Sequence, residues 1–256
     1  MNIYEHQWFI SVVFFLFGAV FGSFATMASY RIPRNEDLVY KPSRCPKCEH
    51  KLGLLDLFPV FSWVLSGAKC RHCKAKVSFR YPLIELSLAA LFVWVYLSFG
   101  LAPKTFILCA LAVVMVIMIT IDIEHMIIPD SLQIAMLLLG IAYRYSLSAP
   151  LADYFIGSFL GLFIALSLRY GFYLWKKKEG LGMGDVKFFF VAGMFINPLD
   201  FACFMLLSGI IGTAMGVIWK KTGKGEEFPF APALAIALFV MLMLPNGADD
   251  LVFIGY

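Results

Sequence analysis

Charge is what this sequence has least of. Only 15% of its 256 residues are Asp, Glu, Lys or Arg, while 61% are apolar. Globular domains carry roughly 25% and 45–50%. A water-soluble chain of this length could not hide so much apolar surface in one core, which excludes one or two soluble domains. No internal repeat and no low-complexity tract is present. Residues 1–7 lack both a basic n-region and a small-residue cleavage site, so the first apolar run is expected to be an uncleaved anchor.

The scarce charges are also unevenly placed. Residues 8–30, 86–103, 105–121, 201–219 and 228–248 contain none, residues 131–152 are interrupted only by Arg144, and residues 154–175 only by Arg169. The first of these runs has 23 residues, enough to cross a hydrocarbon core of ~30 Å as a helix. Residues 188–199 form a shorter, weaker run. The expected fold class is an all-α polytopic membrane protein of about eight transmembrane helices. The connections are short apart from one of about fifty residues, which makes successive helices antiparallel neighbours. The chain therefore reads as a first transmembrane helix (1–30), a cytoplasmic loop domain (31–80) and a transmembrane bundle of about seven helices (81–256).

The basic residues fix the orientation. Eleven Lys and Arg lie between Arg31 and Arg80, and counting helices forward places Lys176–Lys178, Lys187, Lys220, Lys221 and Lys224 on the same side. That gathers eighteen of the 21 basic residues on one face, which the positive-inside rule assigns to the cytoplasm, with both termini outside. Topology accounts for the basic loop, so no nucleic-acid partner is expected; membrane lipid is.

Six cysteines divide four and two. Cys109 and Cys203 sit alone in apolar runs and read as small core residues. Cys45-Pro-Lys-Cys48 and Cys70-Arg-His-Cys73 form two knuckles 21 residues apart, a spacing that suits a tetrahedral four-thiolate zinc site. The alternative, disulfides or a redox dithiol, conflicts with a reducing cytoplasm. Four protein ligands leave a metal no open position, so the expected zinc is structural. His50 and His72 read as solvated loop residues or spare ligands.

Two acids stand out. Asp122 directly follows an apolar run, and Asp185 lies in Gly182-Met183-Gly184-Asp185-Val186-Lys187. Two crossings separate them, so both carboxylates return to one membrane face although they are 63 positions apart. A close carboxylate pair shares a proton. One member can then act as base on a water while the other donates a hydrogen bond to a peptide carbonyl, which is aspartic-protease chemistry. Lys187 and the helix N-terminus would support the Asp185 anion. Gly182 and Gly184 would let an extended substrate backbone approach. A plain helix-capping role for Asp185 is the competing reading, and Asp122 at a helix end is equally open. Asp130, after Pro129, is better placed as an N-cap. Glu124 and His125 read as loop residues.

Taken together these motifs resemble the type IV prepilin peptidase family, membrane aspartic proteases of the Gly-x-Gly-Asp class. The resemblance spans nearly the whole chain. It includes Phe21-Gly22-Ser23-Phe24, Tyr30-Arg31-Ile32-Pro33, both cysteine knuckles, Arg80-Tyr81-Pro82-Leu83-Ile84-Glu85, the segment from Asp122 to Asp130, the Gly182 motif and Pro229-Phe230-Ala231-Pro232. It implies that Asp122 and Asp185 are the catalytic pair and that Cys45, Cys48, Cys70 and Cys73 hold zinc. It further implies removal of the basic leader from type IV prepilins or type II secretion pseudopilins, on the cytoplasmic face of the bacterial inner membrane. N-methylation of the new N-terminus with S-adenosylmethionine is implied as well. Ala25-Thr26 replaces a usual aliphatic–Asn pair and Ala231 a usual Gly; neither touches the aspartates. Two other readings compete: an intramembrane Gly-x-Gly-Asp protease of other substrates, which leaves the cysteine loop unexplained, and a proton-coupled transporter, which favours acids near mid-span.

The topology is open to a direct test. A cysteine introduced at Lys177 should react with an impermeant thiol reagent only from the cytoplasmic side, and one at Ser148 only from outside, as read by peptide mapping. The opposite pattern would separate the two aspartates from the cytoplasm.

Overall fold

The computed structural model describes residues 3–147, 151–178, 180–223 and 227–244. Regular structure among them is helical: α1 (Ile3–Arg31), a one-turn α2 (Phe61–Leu65), α3 (Arg80–Phe99), α4 (Pro103–His125), α5 (Asp130–Ser146), α6 (Leu151–Lys176), α7 (Met183–Ala192), α8 (Phe201–Lys221) and α9 (Ala231–Met243). Five segments are long and apolar enough to cross a membrane: His6–Arg34, Arg80–Phe99, Pro103–His125, Phe155–Lys176 and Pro198–Lys221. The other three apolar helices are shorter than the runs that suggested them. At 10 residues α7 reaches about 15 Å, half of a hydrocarbon core. The 228–248 run yields a 13-residue α9, and its last residues lie outside the described ones, as does Ser148. The chain divides into two compact units, Met1–Ile117 and Met118–Tyr256.

In the first unit α1 and α3 pack through small residues. A Cβ added at Gly18 would lie 2.7 Å from Ala89 Cα, and one at Gly22 only 2.4 Å from Glu85 Cα. Without side chains there, the backbones approach closely and dispersion replaces the hydrophobic drive that lipid does not supply. Ala25, Ala28, Leu88 and Ala89 are fully or almost fully buried along this seam. Phe14 stacks on Tyr96 at 4.8 Å, and Phe21 meets Phe92 edge-on at 5.7 Å. Where α1 ends, buried Arg31 folds the outgoing chain back on itself: its Nη1 donates to the carbonyls of Asp37 (2.8 Å) and Lys41 (2.9 Å), and its Nη2 to that of Pro42 (3.1 Å).

In the second unit α7 is the centre. Phe188, Val186 and Ala192 are buried. Gly193, just past its end, comes so near Gly157 of α6 that an added Cβ would lie 2.4 Å from that residue's carbonyl carbon. The chain turns there instead of continuing the helix. The last carbonyls of α7 are taken by the turn itself, Phe189 O by the Gly193 N–H, Val191 O by that of Met194 and Ala192 O by that of Phe195. Arg144 of α5, which is 4% exposed, serves the turn that follows; its Nε donates to Met194 O at 2.8 Å and its Nη2 to Phe195 O. A buried guanidinium thus supplies the donors that neither lipid nor another helical turn can give.

Gly22→Val should lower the thermal midpoint of the protein in detergent, by the roughly 1–3 kcal/mol typical of overpacking or more, because the obstacle is backbone. Gly171 of α6 has no neighbour within 4 Å of an added Cβ. Gly171→Ala should leave stability unchanged or raise it by up to about 1 kcal/mol. Equal effects at the two sites would refute the close-approach account.

Candidate active site and cysteine cluster

Asp122 sits in the last turn of α4 and is buried. A helix C-terminus repels an anion, since unpaired carbonyls point toward it. The compensation comes from the opposite kind of helix end: the backbone N–H of Ala231, first residue of α9, donates to Asp122 Oδ2 at 3.0 Å. Pro232 follows and has no N–H, so Ala231 is the donor that this helix start can aim.

Asp185 occupies the first turn of α7, where an anion is favoured. Its Oδ2 accepts the N–H of Gly182 at 3.2 Å, which fixes the loop just ahead of it. Asp122 is near enough for its charge to be felt at Asp185. Two carboxylates that are 63 positions apart in sequence, one at a helix end and one at a helix start, thus lie within electrostatic reach of each other.

The surrounding residues depart from the sequence expectations in three respects. Asp130 is the first residue of α5 rather than its N-cap, which is Pro129. Its carboxylate instead takes Lys187 Nζ at 2.6 Å, so Lys187 ties α7 to the start of α5 rather than serving Asp185. An added Cβ at Gly184 would meet Ile128 Cβ at 3.1 Å, and one at Gly182 would crowd the Asp185 carboxylate, also at 3.1 Å. The glycines make room for the chain's own carboxylate and loop.

Gln133, Arg169 and Glu85 have parts that sequence reading did not assign. Buried Gln133 of α5 donates from Nε2 to the Gly184 carbonyl at 2.9 Å, and Arg169 of α6 donates to Leu181 O. Two helices thus hold the loop that carries Asp185 from both sides. Arg169 was visible as the one charge in an apolar run; nothing in the sequence singled out Gln133. In the first unit, Glu85 of α3 accepts the Val60 N–H at 2.7 Å. This bond holds Val60 at φ 62°, a left-handed conformation costly for a β-branched residue.

The four knuckle cysteines converge as the spacing requires. Their Sγ atoms all lie within 4.8 Å of one another, with Cys45 and Cys73 at 3.9 Å. The edge of a tetrahedron of thiolates about a zinc ion is roughly 3.8 Å for Zn–S near 2.3 Å. The knuckles have one design. In each, the first cysteine donates its N–H across the loop (Cys45 to His50 O, Cys70 to Ala75 O) and accepts from the residue four on (Glu49, Lys74). That residue has positive φ in both cases, 56° and 58°. The backbone N–H groups of Cys73 and then His72 point at Cys70 and bring its thiol down to about 7, which favours the thiolate that a metal needs. His50, two residues after Cys48, and His72, within the second knuckle, lie against each other with ring centroids 3.4 Å apart. The thiols offer a closed four-ligand site.

Comparison with known proteins gives the same assignment on both halves. Residues 16–99 match the Bacterial Peptidase A24 N-terminal domain, and residues 109–217 match the Type IV leader peptidase family. A Prepilin leader peptidase/N-methyltransferase of Stutzerimonas stutzeri is 34% identical over 205 residues, covering 78% of this chain and 71% of that protein. Proteins of the same name from Pseudomonas aeruginosa and Bacillus subtilis are each 32% identical. They cover 89% and 87% of this chain and 88% and 90% of their own lengths. No solved structure matches the chain. With relatives this similar along most of its length, the chain, a multi-pass membrane protein, belongs to the type IV leader peptidase family.

Proposed function

We propose that this protein is a prepilin leader peptidase and N-methyltransferase, a membrane aspartic endopeptidase acting on prepilins or secretion pseudopilins. The observation that carries the peptidase reading is the meeting of Asp122 and Asp185 at helix ends in the second unit. Two carboxylates that feel each other's charge do not both ionise readily, so one keeps its proton. The charged one takes a proton from a water, whose oxygen adds to the peptide carbonyl carbon, while the other donates its proton to the carbonyl oxygen. Collapse of the tetrahedral species expels the amine, which leaves with a proton returned by the pair. Acids at helix ends rather than at mid-span favour this reading over a proton-coupled transporter.

The basic loop of residues 31–80 lies in the cytoplasm, the active site faces that side of the bacterial inner membrane, and α5, α7 and α9 bring the number of membrane helices to eight. Residues 1–30 form the first transmembrane helix and residues 81–256 the peptidase bundle. The four cysteines hold a zinc ion that orders the loop; with no vacant coordination position it contributes folding free energy and does not activate water.

Asp122→Asn and Asp185→Asn should each reduce cleavage of a prepilin by roughly 10³-fold or more, and the double variant should be little worse, because the pair acts as one unit. Asp130→Asn should keep measurable activity, since it loses only an exposed ion pair with Lys187. Substantial cleavage by either single variant of the pair would remove the assignment.

Metal and chemistry should separate. Cys45→Ser or Cys70→Ser should lower metal content and thermal stability together, with cleavage falling in proportion to folded protein. The aspartate variants should keep both metal and stability. A cysteine variant that is fully folded and metal-free but has lost all cleavage would assign the ion to the chemistry.

A further inference from the structure

The five-residue α2 is built the wrong way round for a helix in water. Phe61, Val64 and Leu65 take the i, i+3 and i+4 positions of one face, and they are 58%, 61% and 77% exposed. Ser62, Trp63 and Ser66 turn the other way and line a cavity of about 230 Å³ in the first unit. A helix that faces water keeps its apolar side in and its polar side out. Phe58, also exposed, extends the apolar face through an edge contact with Phe61 at 5.8 Å. The inner face is pinned, because Trp63 Nε1–H donates to Val77 O (3.1 Å) and the Trp63 ring meets Phe79 edge-on. The outer face therefore cannot turn in.

The depth of α2 follows from its anchor. Val60, just ahead of it, donates its N–H to the Glu85 carboxylate, which also takes the Ser23 hydroxyl. At 20 residues α3 measures about 30 Å, the thickness of a hydrocarbon core, so it has no length to spare and its first residue, Arg80, marks the boundary. Glu85 stands five residues further on, roughly 7 Å past that boundary. Ser23 likewise lies well inside the end of α1, eight residues before Arg31. An apolar face at this depth continues the exposed apolar surface of the two spans, to which Phe21, Leu83 and Leu86 belong.

We infer that residues 58–65 are an interfacial membrane anchor: between α1 and α3 the chain dips back into the leaflet and lays Phe58, Phe61, Val64 and Leu65 among the lipids at the acyl–headgroup boundary. The partner is the bilayer itself. Amphipathic elements of this kind sit about 5–10 Å into that boundary, which is the depth that Glu85 sets. Burial of four apolar side chains in lipid offsets the cost of Val60 at φ 62°. The inference needs only the membrane character of the chain and is independent of the peptidase reading.

The test places p-trifluoromethylphenylalanine at Phe61 of the full-length protein, in nanodiscs of phosphatidylethanolamine and phosphatidylglycerol, and follows its fluorine signal. A lipid carrying a nitroxide near the acyl–headgroup boundary should erase the signal, and a water-soluble gadolinium chelate should leave it, as for the same probe at Phe21. Erasure by the chelate, with or without the nitroxide, places the face in water and refutes the anchor. A signal that neither reagent reaches shows that protein covers the face, a second copy or another segment of this chain, and refutes it too. Phe61→Gln combined with Leu65→Gln keeps good helix formers in α2. On a water-facing helix this pair would leave the thermal midpoint unchanged or raise it; on an inserted face it should lower the midpoint in nanodiscs by roughly 4 °C or more. An unchanged or higher midpoint overturns the inference. Should this variant fail to assemble, the fluorine signal of the conservative replacement decides.

Discussion

A polar group inside a bilayer has to find its partner within the protein, because hydrocarbon offers none. That constraint shapes the second unit around α7. The helix stops after ten residues, and the carbonyls of the turn that follows would each cost several kcal/mol if unpaired in lipid. Arg144 answers from α5 with two donors to that end. At the other end, Gln133 and Arg169 hold the loop before Asp185. A short helix fixed at both ends presents Asp185 at a set position, which an ordinary membrane-spanning helix free to slide or tilt would not.

The same logic explains the pairing of helix ends around the proposed catalytic acids. Asp122 lies where α4 exposes carbonyls, an unfavourable place for a negative charge, and the start of α9 supplies an N–H in return. Asp185 lies at a helix start and is served by its own loop through Gly182. Each carboxylate thus keeps one backbone donor and retains its other oxygen for a water, a substrate carbonyl or its neighbour. Peptide hydrolysis by a carboxylate pair requires oxygens that are held but not saturated.

The first unit follows a different economy of contacts. Its helices meet through glycine and alanine, while its loop is ordered by a few strong polar devices: Arg31 gathering three carbonyls, Glu85 capping Val60, and four thiols converging on one point. A loop of mixed polarity has too little apolar surface to order itself, and a bound metal would supply the missing free energy. The matched knuckles, each closed by a residue with positive φ, place all four sulfurs by backbone geometry alone.

Much of this was legible in the sequence, where the physics is local. Uncharged runs mark apolar helices, because a charge in hydrocarbon is costly wherever it falls. A two-residue gap sets two cysteines on one turn, and the end of an apolar run and a Gly-x-Gly motif single out Asp122 and Asp185. Helix length was not legible: the run at 188–199 carries no sign that Gly193 will meet Gly157 or that Arg144 will take the carbonyls of the turn beyond α7. Nor could the sequence tell that Lys187 would go to Asp130, that Gly184 would pack on Ile128, or that Ala231 would reach across 109 positions to Asp122. Residue types and spacing determined the membrane class, the thiol cluster and which two acids are proposed as the catalytic pair. Which donor holds each acid was decided only by the tertiary structure, since a hydrogen bond depends on where helix ends meet in space and not on their separation along the chain.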